Sequence, residues 1–360
     1  MQGLQNRLTQ WFGRPAWAPA VIATIGCALP LLMGISTRHP GFFWATIGAF
    51  MASLAHPLQR LGMPGMLLMI GLGAVSIALG FWAANDALSS VALFACCGLL
   101  LAWLQRYGNE TGKLGISLAI CFCLGQSQYG LGNFDNPYAI AALFILGGLW
   151  VSLLGFGLRG VHGLRMWPEH PGIGRLGKIL KRQALRTPPA HWWIYAMTCL
   201  LASMLGSLCL NLFPLHRGYW LTLPIFAGLH LSLQRSMLRI LRTGLSMLAL
   251  AFLLIFAGYN LANTPLLSML ILLPLILLCR AYQAQPYGFF AIQTSLCFLL
   301  LTESLAQDWD DPQSRLINVC IGAGISLLVT LTVHTFWRLY LRISASSKSP
   351  GKTGRMSADR

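Results

Sequence analysis

The chain has 360 residues, of which 56% are hydrophobic and 9% charged, and its mean hydropathy is +0.64. Lys and Arg number 25 against nine Asp and Glu, a formal charge of +16. A soluble domain carries roughly a quarter charged residues, so the composition excludes one and makes lipid the solvent for most of the chain. Backbone groups in hydrocarbon must be satisfied within the spanning element, which leaves helices or a closed barrel. The apolar runs are about 15–22 residues long and do not alternate, which selects helices over barrel strands of about ten residues.

Taken in chain order, a basic, weakly amphipathic segment at 1–16 leads into the first apolar run, with no cleavable signal peptide expected. Spans are then expected near 17–36, 42–56, 66–84, 88–104, 114–129 and 137–158, and again near 191–213, 218–233, 240–259, 264–279, 288–304 and 316–337. Between the two sets lies a basic linker, 162–190, in which GRLGKILKRQAL sets Leu176, Ile179, Leu180 and Leu185 against Arg175, Lys178, Lys181 and Arg182. That pattern suits a short helix in the membrane interface. The expected layout is an all-α membrane protein of about twelve spans. It comprises a first six-helix repeat at 17–161, the linker, a second repeat at 191–341 and a disordered polar tail at 342–360.

With the N-terminus placed in the cytoplasm, 22 of the 25 Lys and Arg fall inside; only Arg38, Arg217 and Arg315 fall outside. Short cytoplasmic loops hold the positive excess, so both termini are expected there. The same bias accounts for the net charge without nucleic acid. The ten cysteines all lie in or beside apolar runs with no CxxC pair and read as small packing residues.

The chain repeats itself. GFFWATIGAFMASLAHPLQR at 41–60 is matched by GYWLTLPIFAGLHLSLQR at 218–235. Trp44 and Trp220 are 176 residues apart, as are Thr46 and Thr222, Cys121 and Cys297, and Gly148 and Gly324. An even number of spans per half brings both halves in from the same side, as parallel repeats about an axis normal to the membrane. Such an arrangement leaves a pathway along or beside the axis and points to transport.

These two stretches, with GMLLMIGLGAVSIALG after the first and SMLRILRTGLSM after the second, resemble the fusaric acid resistance (FUSC) or aromatic acid exporter family, in a short form without the large cytoplasmic insert. The resemblance implies export of aromatic carboxylic acids from the bacterial inner membrane, sometimes with a periplasmic adaptor protein. Related plant proteins resembling one six-helix half are anion channels that work as dimers, so a homo-oligomer is also open.

Candidate transport residues follow from expense. His56 and His230 end the paired second helices, each a few residues before an arginine, Arg60 or Arg235. Histidine titrates near neutrality, and the guanidinium fork suits a carboxylate. Snorkelling to lipid phosphate is the structural alternative. Arg235, Arg239 and Arg242 follow at spacings of four and three, on one helix face. Glu303 is a proton-coupling candidate or one acid of an outer rim with Asp308, Asp310 and Asp311. Gln126, Gln293 and Thr294 offer polar contacts to a solute. Trp44 and Trp220 suit aromatic belt anchors or stacking with an aromatic solute. Pro30, Pro224 and Pro274 fall inside spans, and the glycines of 71–80 and 321–326 suit helix packing. No catalytic triad, HExxH or acidic metal cluster occurs in the sequence; no enzyme activity, cofactor or metal is expected.

The functions open at this point are a proton-coupled exporter of aromatic or other amphipathic carboxylates, a passive organic-anion channel, and a scaffold or lipid-handling protein without a solute. If the arginines capture solute, the double change Arg235→Lys and Arg239→Lys keeps the positive charge and loses the fork. It is expected to insert normally and to raise the half-saturating solute concentration in a vesicle flux assay. Wild-type affinity would leave the arginines with topology alone.

Overall fold

The computed structural model describes residues 15–37, 39, 41–54, 62–127, 136–158, 173–186, 188–213, 215, 218–230, 236–238, 240–241, 244–245, 265–282, 297 and 312–347. No strand occurs among the described residues. The first set of helices is α1 (Trp17–Thr37), α2 (Gly41–Leu54), α3 (Gly62–Ala83), α4 (Ala87–Arg106), α5 (Asn109–Ser127) and α6 (Pro137–Leu158). The linker forms α7 (Ile173–Arg186). Then come α8 (Pro189–Leu212), α9 (Tyr219–Gly228), α10 (Pro265–Ala281) and α11 (Pro312–Ser347). Residues 236–238, 240–241 and 244–245 are also helical, and Cys297 is the one described residue of the expected eleventh span.

Among the described residues, six helical stretches are long and apolar enough to cross a membrane. They are Trp17–Thr37, Gly65–Ala83, Ala87–Arg106, Pro137–Leu158, Pro189–Leu212 and Leu316–Ile343. Their exposed faces carry large apolar side chains such as Leu72, Leu100, Leu153 and Leu328, the surface that lipid requires. The last helix continues to Ser347, beyond the expected boundary at 341. Pro30, Pro224 and Pro274 sit inside helices, as expected.

The second helix of each set is different. α2 has 14 residues and α9 has ten, about 21 and 15 Å at 1.5 Å per residue, against a hydrocarbon core of about 30 Å. Full spans were expected at 42–56 and 218–233. Instead α9 stops at Gly228, and Leu229 is extended (φ −69°, ψ 135°). Both short helices are buried on nearly every position: all of α2 but Phe42, and all of α9 but Ala227. A helix apolar all round is buried in protein or in lipid; here it is protein that buries it, and lipid places no demand on its length.

Neighbouring helices wrap them. α2 packs against α1, α3 and α6, and α9 against α5, α8 and α11. At the α2–α6 crossing the backbones meet: a Cβ on Gly48 would strike the Phe144 carbonyl, and one on Gly147 the Ala45 carbonyl. Gly322 of α11 stands in the same relation to the Leu221 carbonyl of α9. Gly80 and Gly125 do likewise between α3 and α5. Small residues permit such approach, and dispersion between close backbones holds helices together where lipid removes the hydrophobic drive. The packing role expected for the glycine-dense stretches holds for Gly73, Gly80 and Gly322, whereas Gly71 and Gly324 face open space.

Besides the contact of α9 with α5, two seams among the described residues join the first set of helices to the second. α4 packs on α8, and α10 packs on α1. In the first seam Gly98 lies on the Cys199 carbonyl, the buried hydroxyls of Ser90 and Ser207 are 2.8 Å apart, and Trp192 Nε1 donates to the Ala102 carbonyl at 3.0 Å. The Arg106 guanidinium sits 5.1 Å from the centre of the Trp192 ring. In the second seam the Ala16 N–H donates to the Ala281 carbonyl at 2.8 Å, and Trp17 meets Tyr282 edge-on. Phe94 of α4 meets Phe122 of α5 and Phe226 of α9, which ties the first seam to a short helix. All ten cysteines are free thiols.

Gly48→Ala and Gly147→Ala each push a methyl into a backbone carbonyl, and overpacking of this kind costs about 1–3 kcal/mol. Both are expected to lower the thermal unfolding temperature in detergent. Gly71→Ala, facing open space, is expected to leave it unchanged or raise it, because alanine is the better helix former.

Candidate functional site

The candidate site is built on the two short helices. Trp44 is the fourth residue of α2 and Trp220 the second of α9. Both are buried, at 0% and 3% exposure. A belt anchor must reach the membrane–water boundary; these indoles are enclosed by protein, so the belt reading is corrected. Neither Nε1 has a hydrogen-bond partner among the described residues. The hydroxyls beside them are satisfied within their own helices, Thr46 by the Phe42 carbonyl at 2.9 Å and Thr222 by the Tyr219 carbonyl at 3.1 Å. Each short helix therefore carries one buried donor with no acceptor, where such groups are normally paired.

The break after α9 is the second feature. An interrupted helix in a membrane protein has to settle its freed backbone groups with protein partners. Tyr195 of α8, itself buried, reaches the Leu229 carbonyl with its hydroxyl at 3.5 Å. The His230 N–H donates to Ser236 Oγ at 2.7 Å, and the same hydroxyl donates to the His230 carbonyl at 2.7 Å. Sequence reasoning singled out His230 for its ring; the structure engages its backbone, and the ring is half-buried. Tyr195 and Ser236 were missed. No local pattern marks them, because their role exists only once α8 and α9 are side by side.

Arg280 was counted as an ordinary loop-side charge. It lies at the end of α10, 2% exposed, near the thiols of Cys27 and Cys279. Cys27 in turn approaches the Thr46 carbonyl of α2, with Sγ 3.9 Å away. Cys27 thus lies between the field of this buried cation and one of the short helices. Gln126 is half-buried near the end of α5, beside Gly80 of α3. His56, Arg60, Arg235, Arg239, Arg242, Gln293, Thr294 and Glu303 lie outside the described residues.

A chain all-helical in its described residues, with six stretches fit to cross lipid and a core wrapped around two short helices, is a multi-pass membrane protein. The family model described as fusaric acid resistance protein-like matches residues 188–329, running from just before α8 into α11. The second half of this chain is thus similar to fusaric acid resistance proteins. No curated protein and no solved structure matches the chain.

Ser236→Ala removes a partner from both the N–H and the carbonyl of His230. A buried polar group left unpaired costs about 1–3 kcal/mol, so the variant is expected to unfold at lower temperature than wild type. Ser236→Thr, which keeps the hydroxyl, is expected to retain most of the wild-type stability. Equal unfolding temperatures for wild type and the alanine variant would show that the bridge adds no stability.

Proposed function

We propose that the protein exports aromatic or other amphipathic carboxylates across a bacterial inner membrane, driven by the proton-motive force, with both termini in the cytoplasm. The observation that carries this reading is the pair of short, protein-wrapped helices. Each presents a buried, unpaired indole N–H, and the two indoles are 176 residues apart. Interrupted helices buried in protein are where transporters place their solute sites.

The reading includes twelve spans in two parallel six-helix repeats, and the helix packing supports it. α2 meets α6 as α9 meets α11, and α1 meets α6 as α8 meets α11. The seam of α4 with α8 is matched by that of α10 with α1, with the fourth helix of one set against the first of the other. The identities at an offset of 176 run through the same pairs.

The solute chemistry follows from the donors. Where α2 and α9 part from their neighbours, each indole N–H gains an acceptor from a carboxylate, and its ring a face for an aromatic solute. Arg280 adds a cation near Cys27, which approaches α2. Arg60, Arg235, Arg239 and Arg242 would gather the anion at the cytoplasmic mouth, and Glu303 would carry the coupled proton.

The test uses the protein in vesicles with a weak aromatic acid, imposing a pH gradient and a membrane potential independently. Uphill movement with the potential held at zero is expected. Flux that follows the potential alone would make the protein a channel, and no flux with folded protein would end the reading. Trp44→Phe and Trp220→Phe keep an aromatic face, on a smaller ring, and delete the donor. A hydrogen bond to a charged group is worth about 1.5–3 kcal/mol, so each is expected to weaken apparent solute affinity by about tenfold or more. Thermal stability should fall slightly, since the cavity left by the smaller ring outweighs the loss of an unpaired donor. Unchanged affinity would take the indoles out of the pathway.

A further inference from the structure

Helix α7 presents a face that nothing among the described residues covers. Arg175, Lys178, Lys181 and Arg182 are exposed, and Leu185 is 75% exposed. From Lys178 these positions fall at i, i+3, i+4 and i+7, with Arg175 one turn earlier, so they form a single stripe. The expected separation of apolar from basic residues is therefore incomplete: Leu185 stands among the cations, away from half-buried Ile179 and Leu180.

The helix contains no acid, and none of the four cations has a carboxylate partner among the described residues. Its opposite side is tethered. Gln183 abuts Gly108, in the turn between α4 and α5, where φ is +122°, and α7 ends three residues before Pro189 opens the span α8. Both anchors are ends of membrane helices, which hold α7 at the level of the headgroups.

We propose that the exposed face of α7 docks on the anionic phospholipid headgroups of the cytoplasmic leaflet, with Leu185 entering the acyl boundary and the four cations engaging lipid phosphates. Two signals are joined here, an apolar anchor and a polybasic stripe, and neither alone holds a segment firmly to a membrane. Each cation near an anionic surface adds about fivefold to its binding. The placement favours lipid over a soluble acidic protein, because a large leucine at the centre of the stripe gains only where an apolar phase is within reach. The inference stands apart from the solute reading, since it concerns a face outside the helices assigned to transport.

Hydrogen–deuterium exchange of the segment 173–186 in the full-length protein tests it. The protein is placed in nanodiscs of phosphatidylcholine alone and of phosphatidylcholine mixed with phosphatidylglycerol. Exchange is expected to slow by about 25-fold in the anionic discs, roughly the effect of two engaged cations, and the difference should collapse at molar salt. The combined change of Arg175, Lys178, Lys181 and Arg182 to Gln should abolish the difference. Should that variant fail to fold, Leu185→Gln, which keeps every charge, is expected to reduce it. Equal exchange in the two discs would overturn the proposal. So would a difference that survives molar salt, or protection that arises in phosphatidylcholine discs only when an acidic soluble protein is added.

Discussion

The constraint on which everything else rests is that a peptide group in hydrocarbon has no water to turn to. A long helix meets it internally, and the six long apolar stretches do so. A helix of ten residues cannot, because the groups beyond its end are exposed to whatever surrounds them. α9 can stop at Gly228 only because protein encloses it and supplies Tyr195 and Ser236 to the residues that follow. Close wrapping is in turn a matter of glycine, since a side chain at Gly322 would hold α11 away from the Leu221 carbonyl. Backbone demand, short helix and glycine contact are links of one chain.

Hydropathy made most of the spans legible because it reports the solvent a segment needs. The run at 137–158 is bounded by a proline on one side and a basic linker on the other, and the helix has the same ends. Hydropathy fails where apolarity and helicity part company. Residues 229–233 are mostly apolar, so they read as a continuation of the span, yet Leu229 is extended; burial in protein and burial in lipid look alike in composition. Beyond 341 the error is reversed. Arg342, Ser344 and Ser347 are too polar for lipid, but polar residues continue a helix readily in water, and α11 does so.

The site was legible in part. Trp44 and Trp220 stood out through their common offset, but their location was misjudged, because an indole suits a wet interface and a dry core equally. The deciding signal lay in their neighbours. Neither ATIGAFMASL nor LTLPIFAG offers a charged side chain, so the helix has no face to give to water, and the tryptophan it carries goes inside with it. Arg280 had no such signal. A guanidinium after an apolar run reads as a loop-side charge in any sequence, and only the packing of α10 on α1 encloses it.

The bridge after α9 has a kinetic consequence. Helical hydrogen bonds are cooperative, so moving a continuous helix against its neighbours means breaking several together or carrying the whole rod. At His230 the two backbone groups are held by one hydroxyl on one side chain. Rotation of Ser236 about a single torsion releases both at once and leaves the α9 ladder intact. The bridge between His230 and Ser236 is thus one whose breaking needs a rotamer change of one side chain rather than the unfolding of a helix.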